Sequence, residues 1–303
     1  MKNFLLFSGS SNQPLAEEVA KLLHVKLGKV DLTRFADGEV RPWIQEDVRD
    51  QTVFVLQSLS YPMDEHIMEL TLMGDAIRRS APKTMIAIIP YLGYARQDRQ
   101  HRVGEPVSAR VIAKILEVSK FKEVITVDLH NDAIVGFFQI PVTHISALPL
   151  LAKELKTMKL DGAVVVSPDV GRVKSARNLA YVLDVPLVVM EKKRALDKHD
   201  VSEAYEIIGE VGKTVIVMDD MISTGGTIVS SAQSLRHAGA QRVIVCATHG
   251  VLAGTARQKL DAAPIDHILL TDTIAISKEK QLTKLIQVSV APLIADAIFQ
   301  IVR

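Results

Sequence analysis

The chain has 303 residues, of which 48% are apolar and 23% are charged, and its formal net charge is +1. This balance is that of an ordinary globular protein without a basic excess, so we expect neither nucleic acid nor a membrane as a partner. The length favours two domains of about 150 residues each, and no apolar run is long enough for a membrane span or a signal peptide. The one cysteine, Cys246, cannot form an intrachain disulfide, which favours a cytoplasmic protein.

Short aliphatic runs alternate along the chain with longer segments of helical periodicity. In chain order, strands are predicted for FLLFSG, TVFVLQS, MIAIIPY, EVITVDLH, AVVVSPD, PLVVME, TVIVMDD, RVIVCATH and HILLTD. Helices are predicted for PLAEEVAKLL, HIMELTLMGDAIRRSA, SARVIAKILEVS, RVKSARNLAYVL and IVSSAQSLRHAGA, and an exposed hairpin for KLGKVDLTRFADGEV. Continuous apolar runs are typical of strands buried on both faces of a parallel sheet. The alternation therefore predicts an α/β fold.

The same series of elements occurs twice. FLLFSGS corresponds to AVVVSPD, TVFVLQS to TVIVMDD, MIAIIPYLG to RVIVCATHG, VITVDLH to ILLTDTI, and ISALPLLAKEL to VSVAPLIADAI. All parallel α/β chains are self-similar to some degree, but five elements in one matching order favour a duplication. The sequence predicts two copies of one α/β domain, residues 1–145 and 146–303, with a boundary near residues 143 to 150.

Two adjacent acids, Asp219 and Asp220, end the apolar run VIVM and are followed by the loop STGGT, residues 223–227. In open parallel sheets, ligands bind beyond the carboxyl ends of the strands. The glycines let the backbone approach a ligand, and the amides at the start of the next helix favour an anion such as phosphate. Carboxylates suit sugar hydroxyls or a hydrated Mg²⁺, so the pattern predicts a ribose 5-phosphate site. A turn with an N-cap would explain the glycines and hydroxyls, but not two acids at the end of a buried strand.

The segment VIVMDDMISTGGT resembles the phosphoribosyl-diphosphate binding motif of the type I phosphoribosyltransferase-like fold, which transferases and ribose-phosphate pyrophosphokinases share. The stretches TRFADGEV, PYLGYARQDR, TVDLHNDAIVGFF, VVSPDVG, CATHGVL and SVAPLIADAI resemble the pyrophosphokinases, over almost the whole chain. The resemblance implies two similar phosphoribosyltransferase-like domains, each a mainly parallel sheet flanked by helices. It also implies an ATP-dependent transferase, a kinase of nucleotide biosynthesis. Such an enzyme moves the β,γ-diphosphate of ATP to the C1 hydroxyl of ribose 5-phosphate, giving 5-phosphoribosyl 1-diphosphate and AMP.

The resemblance also assigns the substrate sites. The first domain is expected to supply ATP contacts from two segments, RFADGE and ARQ: Phe35, Asp37, Gly38, Glu39, Arg96 and Gln97. The second domain is expected to bind ribose 5-phosphate through the acids and the loop: Asp219, Asp220, Ser223, Thr224, Gly225, Gly226 and Thr227. There is no GxxxxGK[ST] motif, so ATP is not held by a P-loop.

The catalytic and metal positions rest on the resemblance alone. EKKR matches the mobile catalytic loop of the family, with Lys192 and Arg194 at its basic positions, whereas EKKRALDKHD by itself indicates only a solvated charged loop. His130 and Asp169 match the metal positions, and the implied cofactor is Mg²⁺. Since Mg²⁺ prefers oxygen ligands, His130 by itself indicates a hydrogen-bonded structural histidine.

Three departures from the family pattern stand out. Ser223 replaces an aspartate that opens the phosphate loop in many members, and Arg172 stands where a second glycine is usual. Val103 and Gly104 occupy a stretch that is more basic in ADP-regulated members. The catalytic positions are retained, so the departures bear on regulation by ADP and phosphate. The family also implies a homo-oligomer, a hexamer built from dimers, in which the first domain forms an interface and its hairpin reaches a neighbouring site.

Three other functions fit part of the pattern. A phosphoribosyltransferase would share the 223–227 loop but needs no adenine segment and rarely two copies of the domain. A non-catalytic regulatory homologue would be expected to lose catalytic positions that this chain retains. A phospho-acceptor receiver domain would be a single small domain with its acids on separate strands.

Overall fold

The structure, a computed structural model, describes residues 4–192 and 205–303. These residues form two compact units. The first contains the described residues up to Ser146 together with Thr273–Ala275 and Ser289–Arg303, and the second contains those of Ala147–Asp272 and Ile276–Val288. Each unit has its own sheet and its own hydrophobic core.

The first unit is built on a five-stranded parallel sheet in the order β1-β4-β5-β6-β7. Its strands are β1 (Phe4–Ser8), β4 (Thr52–Leu56), β5 (Thr84–Ile89), β6 (Glu123–Val127) and β7 (Val142–Ile145), and β2 (Val30–Arg34) and β3 (Val40–Ile44) form a separate antiparallel hairpin. Its helices are α1 (Gln13–Leu22), α2 (Met63–Arg79), α3 (Ser108–Val118) and α8 (Ala291–Val302). The predicted exposed hairpin is therefore confirmed.

The second unit is built on a seven-stranded sheet in the order β10-β9-β8-β11-β12-β13-β14. Its strands are β8 (Ala163–Ser167), β9 (Leu187–Lys192), β10 (Tyr205–Ile208), β11 (Thr214–Ile222), β12 (Arg242–Gly250), β13 (His267–Thr271) and β14 (Leu285–Val288). Its helices are α4 (Leu148–Leu155), α5 (Val173–Leu183), α6 (Gly226–His237) and α7 (Ala256–Ala262). All strand pairs are parallel except β9 with β10.

The two sheets repeat one topology. The order β1-β4-β5-β6-β7 in the first unit corresponds strand by strand to β8-β11-β12-β13-β14 in the second, to which β9 and β10 are added at one edge. The first four of these five pairs are those that the sequence predicted, and the pairing of β7 with β14 is added by the structure. The predicted α/β fold with two similar, mainly parallel, helix-flanked domains is confirmed.

Most of the strands that the sequence predicted are largely buried, although β9 alternates between half-buried and buried residues up to Met190. All five residues of β8 are buried, as are eight of the nine of β11. The strands that were not predicted, β7, β10 and β14, lie at sheet edges and consist of half-buried and exposed residues. These three edge strands lack the continuous apolar run by which the buried strands were predicted, including β1 at the other edge of the first sheet. No described helix is both long enough and apolar enough to cross a membrane.

The last helix of the chain packs with the first unit. Helix α8 lies against α1, burying Ile294 and Ile298, and the Ser289 hydroxyl donates to Glu18 Oε2 at 2.8 Å. Conversely, α4, which follows the last strand of the first sheet, groups with the second unit. The division expected at residues 145 and 146 assigned α8 to the second half. The structure instead groups α8 with the first unit, because α8 packs on the apolar face of α1, where Leu15 and Val19 are buried.

Candidate active site

The acid pair lies at the carboxyl end of β11, in the middle of the second sheet. β11 pairs with β8, where Val217 lies opposite Val166, and with β12, where Asp219 lies opposite Ala247. Both acids are largely buried, since the side chains of Asp219 and Asp220 retain 14% and 9% of their accessible surface. Burial, and then the charge of Asp220, raises the pKa of Asp219 well above the usual range. When ionised, the pair needs a cation or hydrogen-bond donors beside it.

The loop after the acids presents backbone amides at the start of α6. Gly225 is the N-cap residue of the helix, with a φ of +77°, and as a glycine it supplies no side-chain cap to the first amides of α6. Thr224 and Thr227 are exposed on either side of the glycines. Backbone amides at a helix start and the positive end of the helix dipole together favour an anion such as a phosphate.

A second loop supports the base of this one. The amides of Leu252 and Ala253, which follow β12, donate to the carbonyls of Ile222 and Ser223 at 3.0 Å each. Because β11 and β12 are adjacent parallel strands, their following loops meet at the same edge of the sheet. The two bonds fix the place where the loop leaves the strand.

We predict that Gly225→Ala lowers the free energy of unfolding by about 1–3 kcal/mol, because a non-glycine residue is strained at positive φ. The added Cβ would also lie 3.2 Å from Leu260 Cγ. Gly226→Ala is the matched control, since the nearest atom its Cβ meets is Thr224 Oγ1 at 4.0 Å and alanine favours a helix. Urea denaturation of both variants checks this, and equal stability of the two would contradict it.

The loop after β8 lies beside the acid pair. Asp169 Oδ1 accepts the amide of Arg172 at 3.0 Å, and the Ser167 hydroxyl donates to the Asp169 carbonyl at 2.6 Å. These bonds shape a short 3-10 turn that ends at Arg172. The Arg172 guanidinium then reaches both acids, with Nε 3.4 Å from Asp219 Oδ1 and Nη2 3.1 Å from Asp220 Oδ2. The structure thus brings the predicted metal position Asp169 next to the ribose position.

The predicted catalytic lysine ends the neighbouring strand. β9 runs parallel to β8, with Val189 opposite Ser167, and Lys192 is its last residue. The carboxyl end of β9 therefore lies at the same edge of the sheet as the acid pair. Arg194 lies outside the described residues, so its role stays a prediction.

The predicted adenine segment forms the exposed turn of the β2–β3 hairpin. Gly38 has a φ of +96°, and the amide of Glu39 donates to Asp37 Oδ1 at 3.1 Å. The Phe35 side chain is 51% exposed, and the Arg41 guanidinium carbon lies 5.4 Å from its ring centroid. An exposed aromatic ring can stack a base, and exposed carboxylates can accept from an exocyclic amine.

Side-chain contacts connect this hairpin to the second predicted ATP segment. Arg34, which precedes Phe35, forms an ion pair with Glu65 at the start of α2. The neighbouring Asp64 accepts a hydrogen bond from the Tyr94 hydroxyl, and this bond raises the pKa of Tyr94. Tyr94 lies two residues before Arg96. Both predicted ATP segments are therefore connected, within the first unit, to the N-terminal end of α2.

His130 lies in the loop after β6, beside the loop that carries Arg96. Asn131 Nδ2 donates to Asp98 Oδ2 at 2.6 Å, which ties the two loops together. Gln97 is oriented by Ser108, whose hydroxyl donates to Gln97 Oε1 at 2.6 Å. His130 itself is half-buried. The structure brings these predicted positions of the first unit together at the carboxyl edge of its sheet.

The contact between Arg172 and the acid pair was not predicted. The sequence marked Arg172 only as a departure from the family pattern. A signal was present, because strand pairing puts the loops after β8 and β11 side by side. A long cation three residues beyond Asp169 is then within reach of two acids.

A duplicated α/β fold with an acid pair and a glycine-rich, amide-lined loop at the end of a central strand defines a phosphoribosyltransferase-like protein. The family model described as "N-terminal domain of ribose phosphate pyrophosphokinase" matches residues 4–119, and the "Phosphoribosyl synthetase-associated domain" matches residues 178–303. The chain belongs to the ribose-phosphate pyrophosphokinase family.

Similar proteins cover nearly the full length of the chain. The ribose-phosphate pyrophosphokinase of Bacillus caldolyticus is 43% identical over 98% of this chain and 94% of its own length. That of Ralstonia nicotianae is 45% identical over 100% of this chain and 96% of its own. The crystal structure of phosphoribosylpyrophosphate synthetase from Mycobacterium smegmatis is 40% identical, with a TM-score of 0.93 and 99% of each chain covered. The predicted family is confirmed.

Proposed function

We propose that the protein is a ribose-phosphate diphosphokinase, which transfers the β,γ-diphosphate of ATP to the C1 hydroxyl of ribose 5-phosphate. The observation that carries this function is the junction of β11 and α6. A buried acid pair there precedes a helix start whose N-cap residue is Gly225, which matches a ligand with a diol at one end and a phosphate at the other. Full-length similarity to ribose-phosphate pyrophosphokinases supports the same function.

Each unit contributes a different part of the reaction. In the second unit, Asp219 and Asp220 accept hydrogen bonds from the ribose hydroxyls, and residues 223–227 bind the 5-phosphate. In the first unit, Phe35 stacks the adenine while Asp37 and Glu39 accept from its amine. Phosphoryl transfer depends on positioning and charge neutralisation, so fixing both substrates supplies much of the catalysis.

Lys192 and Arg194 neutralise the charge that shifts along the phosphates during transfer. A lysine acts as a point charge and an arginine as a forked donor, and the two suit a polyphosphate in different ways. Their contribution belongs to the transition state, because the charge they oppose is redistributed there.

The metal in this proposal is Mg²⁺. Among the described residues, no cluster of three His, Cys, Asp or Glu side chains could hold a metal ion. This donor set fits Mg²⁺ that arrives on ATP, because such an ion needs only one or two protein ligands besides phosphates and waters. The family resemblance assigns the metal to two positions, Asp169, which is exposed after β8, and His130, which is half-buried after β6. When bound, the ion neutralises phosphate charge.

The test is to incubate the purified protein with ATP, Mg²⁺ and ribose 5-phosphate and to measure AMP and 5-phosphoribosyl 1-diphosphate. We expect both products in equal amounts, and neither when ribose 5-phosphate is left out. A phosphoribosyltransferase would consume the diphosphate sugar rather than make it. Absence of AMP would favour a regulatory homologue and contradict the proposal.

In the described part of the first unit, the protein's own side chains occupy the place that corresponds to the ribose site. Gln57, the counterpart of Asp219, is fully buried, and its Oε1 accepts the Ser11 amide at 3.0 Å and the Ser11 hydroxyl at 2.6 Å. Its Nε2 donates to Glu69 Oε1 at 2.6 Å, and the same oxygen accepts the Ser10 amide at 2.7 Å. The amides after β1 are thereby satisfied within the protein.

Calorimetry should therefore find one ribose 5-phosphate site per chain. The reason is that the acids and the glycine-rich loop occur only in the second unit, while a neutral glutamine and a buried carboxylate fill the first. The measurement is a titration of ribose 5-phosphate into protein of known active concentration. Two equivalent sites per chain would contradict the assignment of the site to the second unit.

We further propose that the protein acts in the cytoplasm as a homo-oligomer, a hexamer built from dimers. The lone Cys246 is buried, which suits a reducing compartment. The exposed hairpin turn and Trp43, which is 56% exposed on β3, supply an apolar surface that a neighbouring chain would cover.

A further inference from the structure

Arg172 occupies the acids to which the proposed function assigns the ribose. Its guanidinium contacts Asp219 through Nε at 3.4 Å and Asp220 through Nη2 at 3.1 Å. Its side chain retains only 15% of its accessible surface. One side chain therefore binds both carboxylates from the position where a diol would have to donate its hydrogen bonds.

The backbone of Arg172 is held in place while its side chain can turn. Its amide donates to Asp169 Oδ1 at 3.0 Å, and Val173, the next residue, begins α5. The long side chain has four rotatable bonds beyond this anchor. It can leave the acids without any change in the turn that carries it.

The first unit has a neutral version of the same link. There, Ser11 in the loop after β1 binds Gln57 at the end of β4, with hydroxyl and amide both directed at Oε1. β1 and β4 correspond to β8 and β11. A link between these two loops is thus a feature of both units, and in the second unit it is ionic and lies in the substrate site.

We propose that Arg172 is an internal competitor of ribose 5-phosphate, which the sugar hydroxyls must displace from Asp219 and Asp220 in order to bind. This inference rests on the proposed function. In the unliganded protein, Arg172 supplies the counter-charge that the buried acids need. On binding, the two hydroxyls take over the acids, and the free energy of the broken ion pair is subtracted from the affinity of the sugar. Arg172 therefore weakens the binding of ribose 5-phosphate.

The direct test is calorimetry of ribose 5-phosphate binding to wild type, Arg172→Lys and Arg172→Ala. Mg²⁺ is left out, so that no metal replaces the lost cation. Hydrogen bonds to charged groups are strong enough that Arg172→Ala should bind the sugar on the order of tenfold more tightly. Arg172→Lys should be intermediate, because an ammonium group lacks the fork that reaches both acids.

Arg177→Ala is the matched control. Arg177 lies five residues further along, exposed on α5, and its removal changes the net charge by the same amount. Unchanged affinity in this variant shows that the effect of Arg172 is local. A thermal melt of each variant establishes that it is folded, and the lysine variant keeps the test valid if the alanine variant unfolds.

The outcomes separate the two proposals. If wild type binds ribose 5-phosphate and forms AMP but neither Arg172 variant binds more tightly, the competitor role is wrong and the function stands. If wild type neither binds the sugar nor forms AMP, the proposed function itself fails. A gain in affinity in the Arg172 variants that Arg177→Ala does not share supports displacement of Arg172 by the sugar.

Discussion

Lys192→Ala should lower kcat by a factor on the order of 10³ while ribose 5-phosphate still binds with nearly its normal affinity. The lysine ends β9 at the edge of the sheet that carries the acid pair, but the sugar site itself is formed by β11 and α6. A cation that meets the phosphates mainly in the transition state affects kcat and leaves ground-state binding unchanged. Steady-state kinetics with AMP detection measures kcat, and calorimetry measures the sugar affinity.

Lys213→Ala is the control for this variant. Lys213 is exposed and precedes the first residue of β11, so it lies at the opposite edge of the same sheet. It removes one lysine charge from the unit without touching the site, and its kcat should match wild type. A near-normal kcat in Lys192→Ala would contradict a role for Lys192 in catalysis.

Asp219→Asn should stabilise the protein at neutral pH and weaken the binding of ribose 5-phosphate by about 10- to 100-fold. Burial and Asp220 raise the pKa of Asp219, so the ionised form costs folding free energy. That cost is fully present above the raised pKa, and it disappears as the pH falls through it towards the usual range of an aspartate. The Tm of the variant should exceed that of wild type at pH 8, and the difference should shrink on acidification.

Asp161→Asn provides the comparison for both measurements. Asp161 is exposed before β8, at the edge of the sheet away from the site. The Asp161→Asn variant should therefore have the Tm and the ribose 5-phosphate affinity of wild type at each pH. A Tm of Asp219→Asn equal to or below that of wild type at pH 8 would mean that Arg172 fully compensates the buried charge. An unchanged affinity would remove Asp219 from the ribose site.

The sequence predicted the central strands and the duplication because burial on both faces leaves an unambiguous pattern. β8 and β11 are continuous apolar runs, and their partners in the first unit are too. The edge strands β7, β10 and β14 were not predicted, since each has only four residues and mixed exposure. A local apolar run therefore predicts a well-buried strand, such as β1 at an edge of the first sheet, but not a short, half-buried one.

Within the site, the sequence predicted residue types that chemistry demands but not the contacts among them. Asp219, Asp220 and Gly225 were predicted from the ribose-phosphate pattern, and the structure places them at one strand end. The ion pairs of Arg172 and the filling of the first unit by Gln57 and Glu69 depend on which strands are neighbours. Such pairing is a long-range property, which motif spacing does not contain.

The packing of α8 on α1 has a consequence for synthesis of the chain. The unit that contains residues up to Ser146 is completed by Ser289–Arg303, a segment that is synthesised after the whole second sheet. Since chains are synthesised at about 5–20 residues per second, the apolar face of α1 stays exposed for several seconds or more before α8 is made and can pack on it. The second unit requires no segment beyond Val288 and can complete its own core first. A nonsense mutation between codons 289 and 303 would therefore damage the unit that is formed mainly by residues up to Ser146.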